Sequence, residues 1–233
     1  RDEVHRVLDK SILMQMLQGK HMITHTYRLL IGNGIMYARL SVIWASDNKH
    51  LIIGIMNIDK EIRKEQEIEK KLNAANERAY RDEMTGVKNK AAFSEYMENL
   101  QEQVRQERIR EFSIVICDVN GLKTINDSFG HSEGDAYIKK ACMLICHTWE
   151  HSPVFRIGGD EFAVVLLDSD YQNRLALQQQ IREQVRANLK AGEVVVAVGM
   201  ADYGEGSGRS ADDVFELADS RMYADKAALK SSD

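Results

Sequence analysis

Two apolar, β-prone runs, Val154 to Ile157 and Glu161 to Leu167, are joined by only three residues, Gly158-Gly159-Asp160. A parallel pair needs a crossover of about a dozen residues or more, so these strands must form an antiparallel hairpin. Around the hairpin the periodicity predicts helices at about Lys90 to Arg110, Glu133 to His151, Tyr171 to Ala191 and Ala211 to Ala228. It predicts further strands at Phe112 to Val119 and Val194 to Met200. The expected fold class is α+β, a four- or five-stranded sheet backed by helices on a ferredoxin-like plan.

That unit fills only the latter part of the 233 residues. Upstream, Asp2 to Leu17 has the apolar spacing of a helix, followed by β-prone runs at His21 to Ile31, Ile35 to Ala45 and His50 to Ile58. The turn signals between them predict an antiparallel meander, and three strands bury too little to stand as a full domain. From Asp59 to Lys71, ten of thirteen residues are charged, five of each sign, which predicts a solvated connector helix. A heptad seam from Ile58 to Ala79 is weak, because Glu61 and Glu65 occupy two of its positions. The organisation expected is residues 1–58, a connector at 59–80 and a main domain at 81–233.

Lysine and arginine number 31 against 36 aspartates and glutamates, a net charge of -5 that argues against nucleic acid as a partner. The single proline, Pro153, excludes a proline-rich linker. Three cysteines, Cys117, Cys142 and Cys146, lie in apolar stretches and suit a reducing, cytoplasmic setting, with Cys142 and Cys146 on a core face. No uncharged run approaches the ~20 residues of a membrane-spanning helix, so no membrane segment is expected. His147 and His151, four apart, lack a third ligand and read as surface residues, and Met14, Met16 and Met22 read as packing.

The strand Phe112 to Cys117 delivers an acid, Asp118, where it leaves the core, and the hairpin carries Asp160 and Glu161. If the two strands are neighbours, Asp118 faces Asp160 or Glu161 across a spacing of about 4.8 Å. Carboxylates that close repel unless a cation lies between them, and hard oxygen ligands suit Mg²⁺, with Mn²⁺ as the alternative. The paired glycines allow a turn with positive backbone angles and close approach of a ligand.

The string Gly158-Gly159-Asp160-Glu161-Phe162 resembles the signature of the GGDEF family, the diguanylate cyclases. Further matches follow in order: Asp82 to Asn89 is similar to the opening DxLTGLxN element, and Asp118 to Asp127 to the metal and base segment. Gly130 to Asp135 resembles the GHxxGD element, and Ala218 to Lys226 the closing helix. The resemblance implies a GTP substrate and a GGDEF catalytic domain with a cyclase-palm sheet. Asp118, Asp160 and the carbonyl of Val119 would hold metal, and Glu161 would either ligate metal or help deprotonate the ribose 3′-hydroxyl. Asn126 and Asp135 would read guanine, since a carboxylate accepts from N1–H and the exocyclic amine. Gly121, Leu122 and Lys123 would meet the terminal phosphates, with Lys226 and Lys230 adding positive charge.

The resemblance also implies two such domains facing each other in a homodimer, condensing two GTP into cyclic di-GMP and releasing two pyrophosphates. Lys230 stands where the family carries an arginine, a point charge replacing a bidentate fork. Trp149, Glu150, His151 and Ser152 stand where many members carry the RxxD inhibitory product site, so no such site is expected. The N-terminal strands, with Thr26 to Leu29 and Ile52 to Asp59, resemble the end of a PAS domain. A non-catalytic GTP-binding module acting through a protein partner is the alternative function.

Overall fold

The computed structural model describes residues 14–17, 20–31, 34–47, 49–204 and 208–230. Most of the helix expected at Asp2 to Leu17 lies outside them. The chain divides into two compact units, Arg1–Ala75 and Asn76–Asp233.

In the first unit, β1 (Met22–Ile31), β2 (Gly34–Trp44) and β3 (Leu51–Asn57) form a three-stranded antiparallel sheet in the order β1-β2-β3. Its small core is Leu17, Leu40 and Val42, with Ile23, Tyr27, Trp44 and Leu51 packed around them. Met14, Met16 and Met22 are exposed, not packed, because this sheet offers too little apolar surface to cover them. Helix α1 (Asp59–Ala79) begins where the Asn57 side chain accepts the Asp59 amide. It carries the i,i+4 ion pairs Arg63–Asp59 and Lys71–Glu67, and Ile68 and Leu72 of the weak seam are exposed.

The second unit is a five-stranded mixed sheet ordered β4-β6-β7-β5-β8, which meets the α+β expectation. Its strands are β4 (Lys88–Asn89), β5 (Glu111–Val119), β6 (Val154–Arg156), β7 (Glu161–Leu166) and β8 (Val196–Gly204). The hairpin β6–β7 is antiparallel as its short loop requires, β5 pairs antiparallel with both β7 and β8, and only β4 runs parallel to β6. Helices cover both faces: α2 (Lys90–Arg105), α3 (Leu122–Phe129), α4 (His131–Thr148), α5 (Asp168–Gln172), α6 (Arg174–Ala191) and α7 (Ala211–Lys230).

Alternation along β5 divides the core. Val115, Cys117 and Val119 join Ile138, Ile145 and Val185 of α4 and α6, whereas Phe112, Ile114 and Ile116 join Phe93, Val214 and Met222 of α2 and α7. The outer edge of β8 is covered by α7, whose Asp225 accepts the Val198 amide and whose Arg221 donates to the Met200 carbonyl.

Three boundaries differ from the sequence expectation. Helix α2 stops at Arg105 because Glu107 adopts a left-handed φ of 55°. The expected helix at Tyr171 to Ala191 is two, broken at Asn173, whose side chain turns back onto the Ser169 carbonyl. Helix α4 ends at Thr148, so His147 and His151 do not share a helix face.

Phe155 is fully buried, with Phe93 and Tyr96 each 5.3 Å away between ring centres. Phe155→Ala is expected to cost about 3–5 kcal/mol. Urea unfolding followed by Trp149 fluorescence in a Trp44→Phe background reads this unit alone.

Candidate active site

The register of β5 and β7 places Asp118 directly opposite Glu161, so of the two open partners it is Glu161 that faces it. Asp160 lies one residue outside the ladder, and its carbonyl accepts the Val119 amide at 3.0 Å. Asp118 is 4% exposed, and its Oδ1 has the Lys226 ammonium at 2.6 Å without a well-aligned hydrogen bond. Burial pushes the Asp118 carboxyl above its usual range, and Lys226 offsets that only in part. Burial likewise raises Glu161, helped by the charges of Asp160, Asp118 and Asp219. Burial works against the Lys226 ammonium, but Asp118 and Asp160 outweigh it and hold its pKa above the usual value.

Lys226 is therefore no solvated surface lysine. It reaches the acid because α7 is fastened along β8. Asp219, one of the helix residues quoted in the sequence match, belongs to the acidic group through its effect on Glu161. Its position seven residues before Lys226, two helical turns, was the available signal.

Neither hairpin glycine uses the positive φ open to it. The constraint at Gly158 is space: a Cβ there would stand 2.5 Å from Glu161 Oε2. Gly159 faces open space. The turn is held from outside, since Arg156 donates to the Gly159 carbonyl from Nε at 3.2 Å and from Nη2 at 2.7 Å, and pairs with Asp82 at 3.0 Å. Asp82 also accepts from the amide and hydroxyl of Thr85. Burial raises the Asp82 carboxyl, but Thr85 and Arg156 outweigh it and leave its pKa below the usual value. Arg156 was missed from the sequence because its partners lie 74 residues upstream and across a turn.

Asn126 on α3 lies against the first turn of α4, where a Cβ at Gly134 would stand 1.9 Å from its Oδ1. Asp135, the next residue, is exposed on α4. Gly121 precedes α3 with a φ of 76°, Leu122 is half-buried and Lys123 is exposed. A recess of about 380 Å³ is lined by Asn120, Gly121, Thr124, Tyr137 and Lys230 among others. Lys230 is exposed yet near enough to lower the Asp118 carboxyl. A larger groove of about 560 Å³ between α2 and α7 lies at the opposite end of α7 from Lys226 and carries no part of this acidic group.

No three His, Cys, Asp or Glu side chains converge into a ready metal cluster among the described residues. The donor set nevertheless suits a cation: a buried carboxylate oxygen lacks an aligned donor, a second carboxylate is opposite, and a positive charge already lies between β5 and α7.

A family profile described as "Diguanylate cyclase, GGDEF domain" matches residues 79–232. The chain belongs to the GGDEF family. It is 30% identical over 153 residues to diguanylate cyclase DgcP of Escherichia coli strain K12, covering 64% of this chain and 45% of that protein. It is 34% identical over 108 residues to YhcK of Bacillus subtilis strain 168, covering 46% of this chain and 30% of YhcK. A protein encoded in the hutH 5′ region of Streptomyces griseus is 31% identical over 155 residues, covering 64% of this chain and 63% of that protein. The chain thus spans 30–63% of the length of these curated relatives. In fold it matches the coiled coil and GGDEF domain of DgcB from Caulobacter crescentus, a complex with c-di-GMP. The TM-score is 0.63 at 21% identity, covering 72% of this chain and 92% of that one. The GGDEF domain of PA1120 from Pseudomonas aeruginosa is 29% identical with a TM-score of 0.51, covering 62% and 92%. No described helix is long and apolar enough to cross a membrane.

Arg156→Ala is expected to cost about 1.5–3 kcal/mol at neutral pH. A depressed folded pKa stabilises the fold above the unfolded value of about 3.9 and loses that stabilisation as pH falls through the folded value. The deficit of the variant should therefore be smaller at pH 2 than at pH 6 in urea unfolding, the loss falling below about pH 3.9. An equal deficit at both would assign the cost to packing.

Proposed function

We infer that the chain is a diguanylate cyclase, condensing two GTP into cyclic di-GMP with release of two pyrophosphates. The observation that carries this reading is the facing pair Asp118 and Glu161 beside an intact Gly-Gly-Asp-Glu-Phe hairpin, with Lys226 brought onto the pair. Asp118, Asp160 and Glu161, with the carbonyl of Val119, would hold Mg²⁺ or Mn²⁺. Bound there, the ion would neutralise phosphate charge and favour ionisation of the ribose 3′-hydroxyl.

The remaining work falls to the chain's own groups. Asn126 and Asp135 would bind the guanine edge, rejecting adenine because acceptors covered by the bound base would be left unpaired. The amides of Gly121, Leu122 and Lys123, with the ammonium groups of Lys123, Lys226 and Lys230, would orient the triphosphate. Glu161, whose pKa burial has already raised, suits acceptance of the 3′-hydroxyl proton. Each domain would hold one GTP, so a homodimer is required, each 3′-oxygen attacking the α-phosphorus of the partner's nucleotide. The three-stranded sheet, read as the end of a PAS domain, and α1 would set the effective concentration of the two halves. A cytoplasmic, reducing compartment is the proposed setting.

Incubation with GTP and Mg²⁺, with products separated chromatographically, tests the reading. Cyclic di-GMP should form, and Asp160→Ala should lower its rate at least about 100-fold. GTP retained at every protein concentration without product would favour the non-catalytic module instead. Asp135→Ala should reduce the preference for GTP over ATP about 10- to 100-fold, read as the ratio of kcat/KM values.

Product feedback through the loop after α4 is not proposed. Trp149 is 1% exposed and packed in the core, and Asp170 ties the loop by accepting from the His151 amide and the Ser152 hydroxyl. Turnover is expected to show no inhibition by cyclic di-GMP that Trp149→Phe relieves.

A further inference from the structure

Cys142 and Cys146 lie on successive turns of α4 with their sulfurs 4.0 Å apart. Cys142 is buried and Cys146 half-buried, so the pair is reached from the Cys146 side. Residues four apart on a helix hold their Cβ atoms about 5–6 Å apart, beyond the ~3.5–4.5 Å a disulfide needs. Oxidation would have to unwind a turn of α4. A bridging atom with two bonds of about 2.3 Å spans up to ~4.6 Å when linear, and a bent bridge meets 4.0 Å without moving the helix. Among the described residues no third His, Cys, Asp or Glu joins them, which disfavours a four-coordinate zinc site and leaves centres satisfied by two sulfurs.

One further feature favours capture. The hydrogen bond between the two sulfurs, in which either thiol can donate, holds the pKa of Cys146 below its usual value, and Cys146 is the more accessible of the two.

We propose that Cys142 and Cys146 form a dithiol site for a thiophilic, low-coordinate centre, a trivalent arsenical or a soft monovalent metal. With phenylarsine oxide as probe, two As–S bonds form while both S–H bonds and the As=O bond break. The oxygen leaves with the two protons as water, and arsenic stays trivalent.

Intact-mass spectrometry of the full chain treated with phenylarsine oxide is expected to show one phenylarsenic group per chain. It should resist excess monothiol and be removed by dithiothreitol. Cys146→Ser, at a half-buried position, should lower apparent affinity about 100-fold, because a chelate becomes a single bond. Cys117→Ala should leave capture unchanged, since Cys117 is fully buried in β5. Absence of the adduct, or an equally tight one in Cys146→Ser, would overturn the site.

Discussion

The pairing of β5 with β7 sets what the rest of the second unit can do. It puts Asp118 opposite Glu161, on the face of the sheet that α7 covers. A slip of one residue would turn Asp118 toward α4 and α6 and exchange the side chains that now fill the two core layers. The register is therefore paid for by burial of Val115, Cys117, Phe162 and Val164, none of which touches a ligand. Both carboxyls lie in a partly dry site, and burial, the largest cause, raises their pKa values, with the charges of Asp160 and Asp118 adding to the rise at Glu161. Lys226 relieves part of it, which is why the docking of α7 on β8 bears on the chemistry.

A second set of contacts keeps the hairpin turn in place. Arg156 joins the Gly159 carbonyl to Asp82, and Thr85 fixes Asp82 from its other side. The short turn needs no left-handed glycine, only the missing Cβ at Gly158 that gives Glu161 room. The turn is thus held by a charge-assisted link reaching from the start of the domain.

Much of the fold was legible before any coordinates. The three-residue loop forced an antiparallel hairpin, and the nearly unbroken apolar run of Phe112 to Cys117 marked a strand of the core. What escaped were elements too short to show a period: β4 has two residues, and α3 has eight with a glycine at each flank. The helix break at Asn173 was hidden because its cause is a side chain bonding to its own backbone, which apolar spacing does not register. The methionines near the N-terminus looked like core and are exposed, since pattern says which face is apolar but not whether anything covers it.

By itself the sequence determined the α+β class, the hairpin and the identity of the acids Asp118, Asp160 and Glu161, because loop length and residue periodicity act within a few residues. Only the tertiary structure decided that Asp118 faces Glu161 and not Asp160, that Lys226 completes the pair, and that Arg156 anchors the turn to Asp82. These depend on register and helix docking, which are set by packing between segments far apart in the chain, and no local pattern encodes the distance between them.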